Sequence, residues 1–304
     1  MMAHSATAGR EMDFRIYPVR FSFAAHEDLL FPPGKAANGL RGGLGSKLRK
    51  IACSGACAAG GHRHSENECV YGRLFEPVQR EAGPSGLTMQ PRPFVLRAAH
   101  LDGARIAQGE RFDFRLNLFE ESTAVLPYLA EAFRQLGEEG LGPGRRKAVL
   151  TDAGSVPPIV LSLSPAMGAV RRLRVNFLTP TELKQDGDTV DRPEFRVLAE
   201  RVRDRLSTLR GLYQGGPLQM DFRVFGERAA RVEMTRCAIC PVTVMRRSSR
   251  TGQVHSLGGF RGWAEYAGDL TEFLPFLQAA QFTGVGRQTV WGKGELSVEH
   301  IAAP

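Results

Sequence analysis

Five cysteines and seven histidines are the first residues to ask about in this chain of 304. Three of the thiols and two of the imidazoles lie close together, in the pattern Cys53-x3-Cys57-x4-His62-x-His64-x4-Cys69. Thiolate sulfur and imidazole nitrogen are the donors of a tetrahedral structural zinc, so Cys53, Cys57, Cys69 and His62 form a candidate ligand set. The spacing is not that of a standard zinc knuckle, and an irregular loop without metal explains the same residues. A zinc here would pin a long loop and take no part in a reaction. Cys237-Ala238-Ile239-Cys240 reads as a redox pair, half a metal site, or two buried free thiols. An odd cysteine count without an apolar export segment argues against a disulfide framework.

A second kind of chemistry is the handling of phosphate. Arg246, Arg247 and Arg250 cluster around two serines just before His255 and suit a phosphate track, although a solvated basic loop has the same composition. In Gly284-Val285-Gly286-Arg287 the glycines let a backbone approach phosphates and turn its N–H groups toward them. Arg287 and Lys293 add charge beside those amides; a tight β-turn is the plainer reading. Gly258–Gly262 is not a dinucleotide fingerprint, because it precedes a strand and opens no helix. No P-loop and no nucleophile elbow occurs.

The net charge of +8 is mostly arginine, whose planar fork donates two hydrogen bonds to one phosphate. With a pI near 9.6, an RNA or DNA partner is expected ahead of an anionic membrane, since no basic amphipathic helix stands out. No run of about 18 apolar residues exists to cross a bilayer. Residues 1–12 are small and polar, and read as a disordered leader of a cytoplasmic protein.

These groups need elements to hold them. Phe14 to Phe23 has strand composition, and Leu40, Leu44, Leu48 and Ile51 recur at helical spacing with Arg41, Lys47 and Lys50 on the polar side. Gly39, Gly42, Gly43 and Gly45 in that helix each cost about 1 kcal/mol against Ala, which calls for a close neighbour, either backbone or phosphate. Phe112 to Leu118 alternates as a strand, Val125 to Leu136 forms a helix face, and Arg145-Arg146-Lys147 is expected to open the next strand. Residues 151–166, rich in Ser, Pro and Gly, are read as a domain boundary. The order then restarts: a strand at Leu173–Phe177, a helix from Phe195 to Leu209, strands near Met220–Phe225, Arg231–Thr235 and Trp263–Tyr266, a short helix from Leu270 to Phe282, and a strand at Glu295–Glu299. Strand–helix–strand–strand–helix–strand is the ferredoxin-like unit, so the expected fold is α+β with two such domains in tandem, at residues 13–155 and 165–304.

Taken in order, several stretches resemble one family. Gly258-Gly259-Phe260-Arg261-Gly262, Tyr266-Ala267-Gly268-Asp269-Leu270, Phe273-Leu274-Pro275 and the run from Gly284 to Gly294 are similar to the signature of CRISPR-associated protein six, of the RAMP superfamily. Leu40-Arg41-Gly42-Gly43-Leu44-Gly45, Cys69 to Pro77, Phe177-Leu178-Thr179-Pro180 and Arg205-Leu206-Ser207-x-Leu209 resemble its upstream landmarks. The resemblance implies tandem ferredoxin-like (RRM-like) domains and an endoribonuclease acting on CRISPR repeat RNA (pre-crRNA), with no cofactor for the cut. It implies attack of a ribose 2′-hydroxyl on the adjacent phosphate, leaving a cyclic phosphate end. Other Cas proteins of an effector complex are implied partners, and a non-catalytic RAMP subunit that binds the repeat is the alternative role.

The resemblance also suggests a histidine on or just before the first helix. His26 is the match, and Lys47 stands in the helix where some relatives carry theirs. Arg41, Lys50, Arg246, Arg247, Arg250, Gly284, Gly286, Arg287 and Lys293 are the implied RNA contacts. One departure is plain: the place where the family's C-terminal motif often has a histidine is occupied by Gly284. Tyr17, Phe21, Tyr71, Tyr266 and Trp291 are of the type that stacks on bases, but their strand positions suit a core equally.

Overall fold

The computed structural model describes residues 12–53, 69–77, 90–121, 123–247 and 252–301. The described residues divide into two compact units: those within 17–158 with 290–292, and those within 159–289 with 293–301 and 12–16.

The N-terminal unit is built from β1 (Asp13–Ala25), α1 (Ala36–Ala52), α2 (Val70–Phe75), β2 (Phe94–Arg97), β3 (Arg111–Leu118), α3 (Leu126–Glu139) and β4 (Ala148–Ser155). Its antiparallel sheet has the order β2-β3-β1-β4. Setting aside α2, that is the ferredoxin-like β-α-β-β-α-β arrangement. Period-two alternation sends Phe21, Phe23, Phe112 and Phe114 to one face, where α1 and α3 cover them with Leu40, Leu44, Leu48, Leu129 and Phe133. Phe133 meets Phe21 at 4.4 Å and Phe114 at 5.0 Å between ring centroids. Truncating such a ring costs about 3–5 kcal/mol. Two of the four glycines of α1 have a packing reason: a Cβ on Gly43 would lie 2.6 Å from the Leu136 side chain, and one on Gly45 2.7 Å from the Phe75 ring. Gly39 and Gly42 have nothing within 4 Å.

The C-terminal unit contains β5 (Ile159–Ser162), β6 (Arg172–Thr181), α4 (Phe195–Tyr213), α5 (Phe222–Ala229), β7 (Glu233–Val242), β8 (Met245–Arg247), β9 (Val254–Ser256), β10 (Gly259–Ala267), α6 (Leu274–Thr283) and β11 (Leu296–His300). Its main sheet, β7-β10-β6-β11, repeats the ferredoxin-like order. Leu173, Val175, Phe177, Ala264 and Tyr266 form the inner face, and the buried Tyr266 hydroxyl donates to the Pro193 carbonyl at 2.6 Å. β8 and β9 pair as a two-stranded extension between β7 and β10.

Several expectations are corrected. Met220–Phe225 is not a strand: the Asp221 carboxylate accepts from the Val224 N–H at 2.9 Å, capping α5, and Phe225 and Ala229 point into the core at helical spacing. The following strand starts at Glu233. The boundary expected within residues 151–166 does fall there, after residue 158, although the stretch is itself built into sheets. β4 pairs with β1 as far as Ser155 and β5 pairs with Asp13–Ile16, their polar residues being those of sheet edges. Arg145–Lys147 precedes β4 within a turn that the Leu141–Arg146 bridge closes. Of the leader, residues 1–11 lie outside the described part. Among the described residues no helix is long and apolar enough to cross a membrane.

Candidate functional site

His26 follows the last residue of β1 and is exposed. Its backbone N–H donates to the Lys147 carbonyl at 2.9 Å, while the Lys147 N–H donates to Glu27 Oε2 at 2.8 Å. The Arg146 guanidinium lies 3.9 Å from Glu27. The other side of the same loop is tied to α1. Lys47 forms an ion pair with Glu139, the last residue of α3, and Arg145 reaches the same carboxylate at 3.4 Å. Arg145 sits in the left-handed region at φ 51, a conformation that costs a non-glycine residue on the order of 1 kcal/mol. The Lys47 hydrogen bond, then the charges of Lys47, Arg145 and Lys50, hold the Glu139 carboxyl below the usual carboxylate range. His26, Lys47, Lys50, Arg145, Arg146 and Lys147 thus surround one loop with two carboxylates, Glu27 and Glu139, among them. An exposed imidazole beside an excess of cations can move a proton next to a bound phosphate.

The glycine-rich segment of the C-terminal unit is organised around Glu182. Its carboxylate accepts from Arg287 at 2.8 Å and from the Lys293 ammonium at 3.1 Å. Burial alone would raise the Glu182 carboxyl, but the hydrogen bonds from Arg287 and Lys293 outweigh it and hold the group low. Burial pushes the Lys293 ammonium down against the pull of Glu182. The Glu182 carbonyl accepts from the Arg287 N–H at 3.1 Å, and a side chain on Gly286 would collide with that carbonyl. A side chain on Gly294 would likewise strike the Val285 carbonyl, and both glycines have positive φ. The close approach that these glycines permit is to the protein's own backbone.

Lys293 is 2% exposed, so the sequence expectation of a phosphate contact is corrected: its charge serves Glu182. Arg287 stays half exposed. Gly284 ends α6 with its N–H on the Ala280 carbonyl at 2.7 Å. Arg41 lies over the Phe75 ring at 5.1 Å, and Lys50 is exposed. Arg246 and Arg247 stand opposite His255 and Val254 in the β8–β9 pair. Arg250, Cys57, His62 and His64 fall outside the described residues. Phe21, Tyr71 and Tyr266 are core residues. Cys237 and Cys240 both lie within β7, three residues apart, and so on opposite faces of the strand about 10 Å from each other. They cannot form a redox pair or share a metal, and burial pushes the Cys237 thiol up.

A family model described as an N-terminal domain matches residues 14–162, and the model of the CRISPR-associated endoribonuclease Cas6 matches residues 175–296. The C-terminal part of this chain is thus similar to the Cas6 endoribonucleases. The fold of the chain agrees with solved Cas6 structures. A Cas6 product complex superposes over 95% of this chain and 100% of that chain, with TM-score 0.57 and 18% identity. Thermus thermophilus Cas6 superposes over 94% and 99%, with TM-score 0.53 and 17% identity. A chain from a partial Cas6-RT-Cas1–Cas2 complex matches over 95% of this chain and 46% of that one, with TM-score 0.56 and 10% identity. No curated protein sequence matches.

Within this Cas6 fold, sequence reasoning missed the residues that organise each basic cluster. Glu139 and Glu182 belong to no motif, and Arg145–Lys147 looked like the mouth of a strand. The one available signal was the glycine and proline density of Gly140–Gly144, which marks a built turn.

Proposed function

We propose that this chain is a Cas6-type endoribonuclease that cuts CRISPR repeat RNA (pre-crRNA) by a reaction that needs no metal ion, and that His26 and Lys47 carry it. The observation behind this reading is the single loop that links the two: its Lys147 carbonyl binds the His26 backbone, and its Arg145 shares Glu139 with Lys47. His26 takes the proton of a ribose 2′-hydroxyl. The 2′-oxygen bonds to the adjacent phosphorus as the bond to the 5′-oxygen breaks, giving a 2′,3′-cyclic phosphate and a 5′-hydroxyl. Lys47, exchanging Glu139 for the phosphate, balances the charge on the crowded phosphorus and supplies the proton of the departing 5′-oxygen. Lys50, Arg145 and Arg146 hold flanking phosphates, and the β8–β9 extension with Arg246 and Arg247 takes more of the strand. The cut RNA stays bound, and other Cas proteins are the expected partners, as in the Cas6-RT-Cas1–Cas2 relative.

The test is cleavage of the repeat RNA of the same locus with EDTA present, against a control carrying a 2′-deoxy nucleotide at the cut. Cleavage that survives EDTA and vanishes with the deoxy control supports the reading. One observation favours a second role: Gly284 caps α6 where the family's motif often has a histidine. Tight repeat binding with no cleavage would make this chain a non-catalytic RAMP subunit.

A further inference from the structure

We infer that the outer face of the C-terminal sheet holds a single-stranded stretch of RNA, with one base stacked on Trp263. This role rests on the reading of the chain as a protein that acts on RNA. The inner face of the sheet belongs to the core, where Ala264 and Tyr266 of β10 are buried. Alternation puts Arg261, Trp263 and Glu265 on the other face. Beside Trp263 in the ladder stand Asn176 of β6 and Ala238 of β7; beside Glu265 stand Arg174 and Arg236. Trp263 is half-buried, and Arg236, Ala238, Cys240 and Arg261 are exposed.

The indole is held in place without being buried. The Arg174 guanidinium lies over it, 4.5 Å from the ring centroid. Glu265, itself buried, fixes that guanidinium by accepting from Nε at 3.2 Å and from Nη2 at 2.5 Å. On the β7 side the neighbour, Ala238, has only a methyl group with which to cover the ring. A flat partner therefore meets a preset stacking surface and orders little on binding. The charges are sorted along the face. Its carboxylates, Glu265, Glu299 and Glu233, lie level with Arg174 or beyond it, opposite Arg174 and Ala267. In the other direction Trp263 leads to Arg261, opposite Cys240. A flat base joined to its neighbour by an anionic link fits an indole followed by a free guanidinium. Single-stranded RNA offers such bases, whereas a duplex keeps them stacked inside, and stacking on the face of a four-stranded sheet is a general way to hold them.

The experiment uses the full chain with Trp291→Phe, which leaves Trp263 the sole tryptophan of the two. Its emission is followed as oligouridine or oligoadenosine of about ten nucleotides, and separately the repeat RNA, is added. Saturable quenching by the oligonucleotides is expected. With Trp291 restored, Trp263→Ala should weaken oligonucleotide binding about tenfold, and Trp263→Tyr should keep it within about threefold of the unaltered chain. Arg261→Ala should lower the salt slope by about 0.7, the share of one phosphate on a single strand. Where Trp291→Phe fails to fold, the difference in emission between the unaltered chain and Trp263→Phe carries the same signal. If repeat RNA binds or is cut while the Trp263 emission stays constant with every RNA, the stacking role is overturned and the RNA-processing reading stands. A Trp263→Ala chain that loses stability and binds RNA as before also overturns it, since the indole then only shields the Arg174–Glu265 pair. A chain that binds neither oligonucleotide nor repeat RNA overturns both.

Discussion

Glu139 at the end of α3 and Glu182 after β6 each hold two cations, Lys47 and Arg145 in one case, Arg287 and Lys293 in the other. Both carboxyls titrate below their ordinary range. They differ in access to water. The Glu139 side chain is 40% exposed, with Arg145 75% and Lys47 12%, whereas Glu182 is 14% exposed, with Arg287 54% and Lys293 2%, so the carboxylates differ more than their cations do. The exposed Arg145–Glu139 pair gains little from its partner and is open to exchange with an incoming phosphate. A buried pair cannot release one member without leaving the other charge desolvated. The N-terminal cluster is therefore suited to meeting RNA, and the C-terminal one to holding the glycine-rich segment in shape.

The largest effect that would sharpen this contrast lies on the N-terminal side. We predict that His26→Ala lowers the single-turnover cleavage rate by about a thousandfold, the scale of one general base, with repeat binding nearly unchanged. Unchanged cleavage would remove His26 from the mechanism. Next in size is Lys293→Met, which strips a buried carboxylate of its inner partner and should cost about 3 kcal/mol in a denaturant melt. A melt that does not move would mean that the two carboxylates are alike after all. The acid limb belongs to Glu182. Because its folded pKa is depressed, its contribution to stability is present above the ordinary carboxylate range and is lost as pH falls through the lowered value. Glu182→Gln should flatten that part of the stability curve, and an unchanged curve would refute the assignment.

What could be read from sequence follows the physics of each region. Leu40, Leu44 and Leu48, and the alternation of Phe112 to Leu118, report burial on one face, and burial is what periodicity encodes; the tandem ferredoxin-like order follows from them. Met220–Phe225 misled because so short an apolar run fits either period, and the choice was made by the Asp221 cap and by Phe225 in the core. The glycines of the C-terminal segment were legible as a place of close approach, but not what approaches: the contact is the Glu182 carbonyl, distant in sequence. Glu139 and Glu182 had no signal at all, since a carboxylate that organises cations is defined only by the turns that bring them together. Two exposed glycines test how much of the α1 pattern is packing. Gly42 has room for a side chain, so Gly42→Ala should raise stability by about 1 kcal/mol. If repeat binding weakens at the same time, the RNA backbone approaches the helix there.

The smallest expected effect is the most discriminating between the two carboxylates. Glu139→Gln keeps the shape at the end of α3 and removes the anion that Lys47 and Arg145 share. On the exposed side, stability should scarcely change, because partly solvated pairs contribute little. Repeat RNA should bind more tightly at low salt, since both cations reach the complex without first giving up a partner. The salt dependence should steepen by no more than about 0.9 in slope for each further phosphate contact. Filter binding across a salt series, paired with a denaturant melt, separates the outcomes. If Glu139→Gln instead loses stability on the scale of Lys293→Met and weakens binding, then Glu139 positions Lys47 in the way Glu182 holds Lys293, and the exposed pair is structural too.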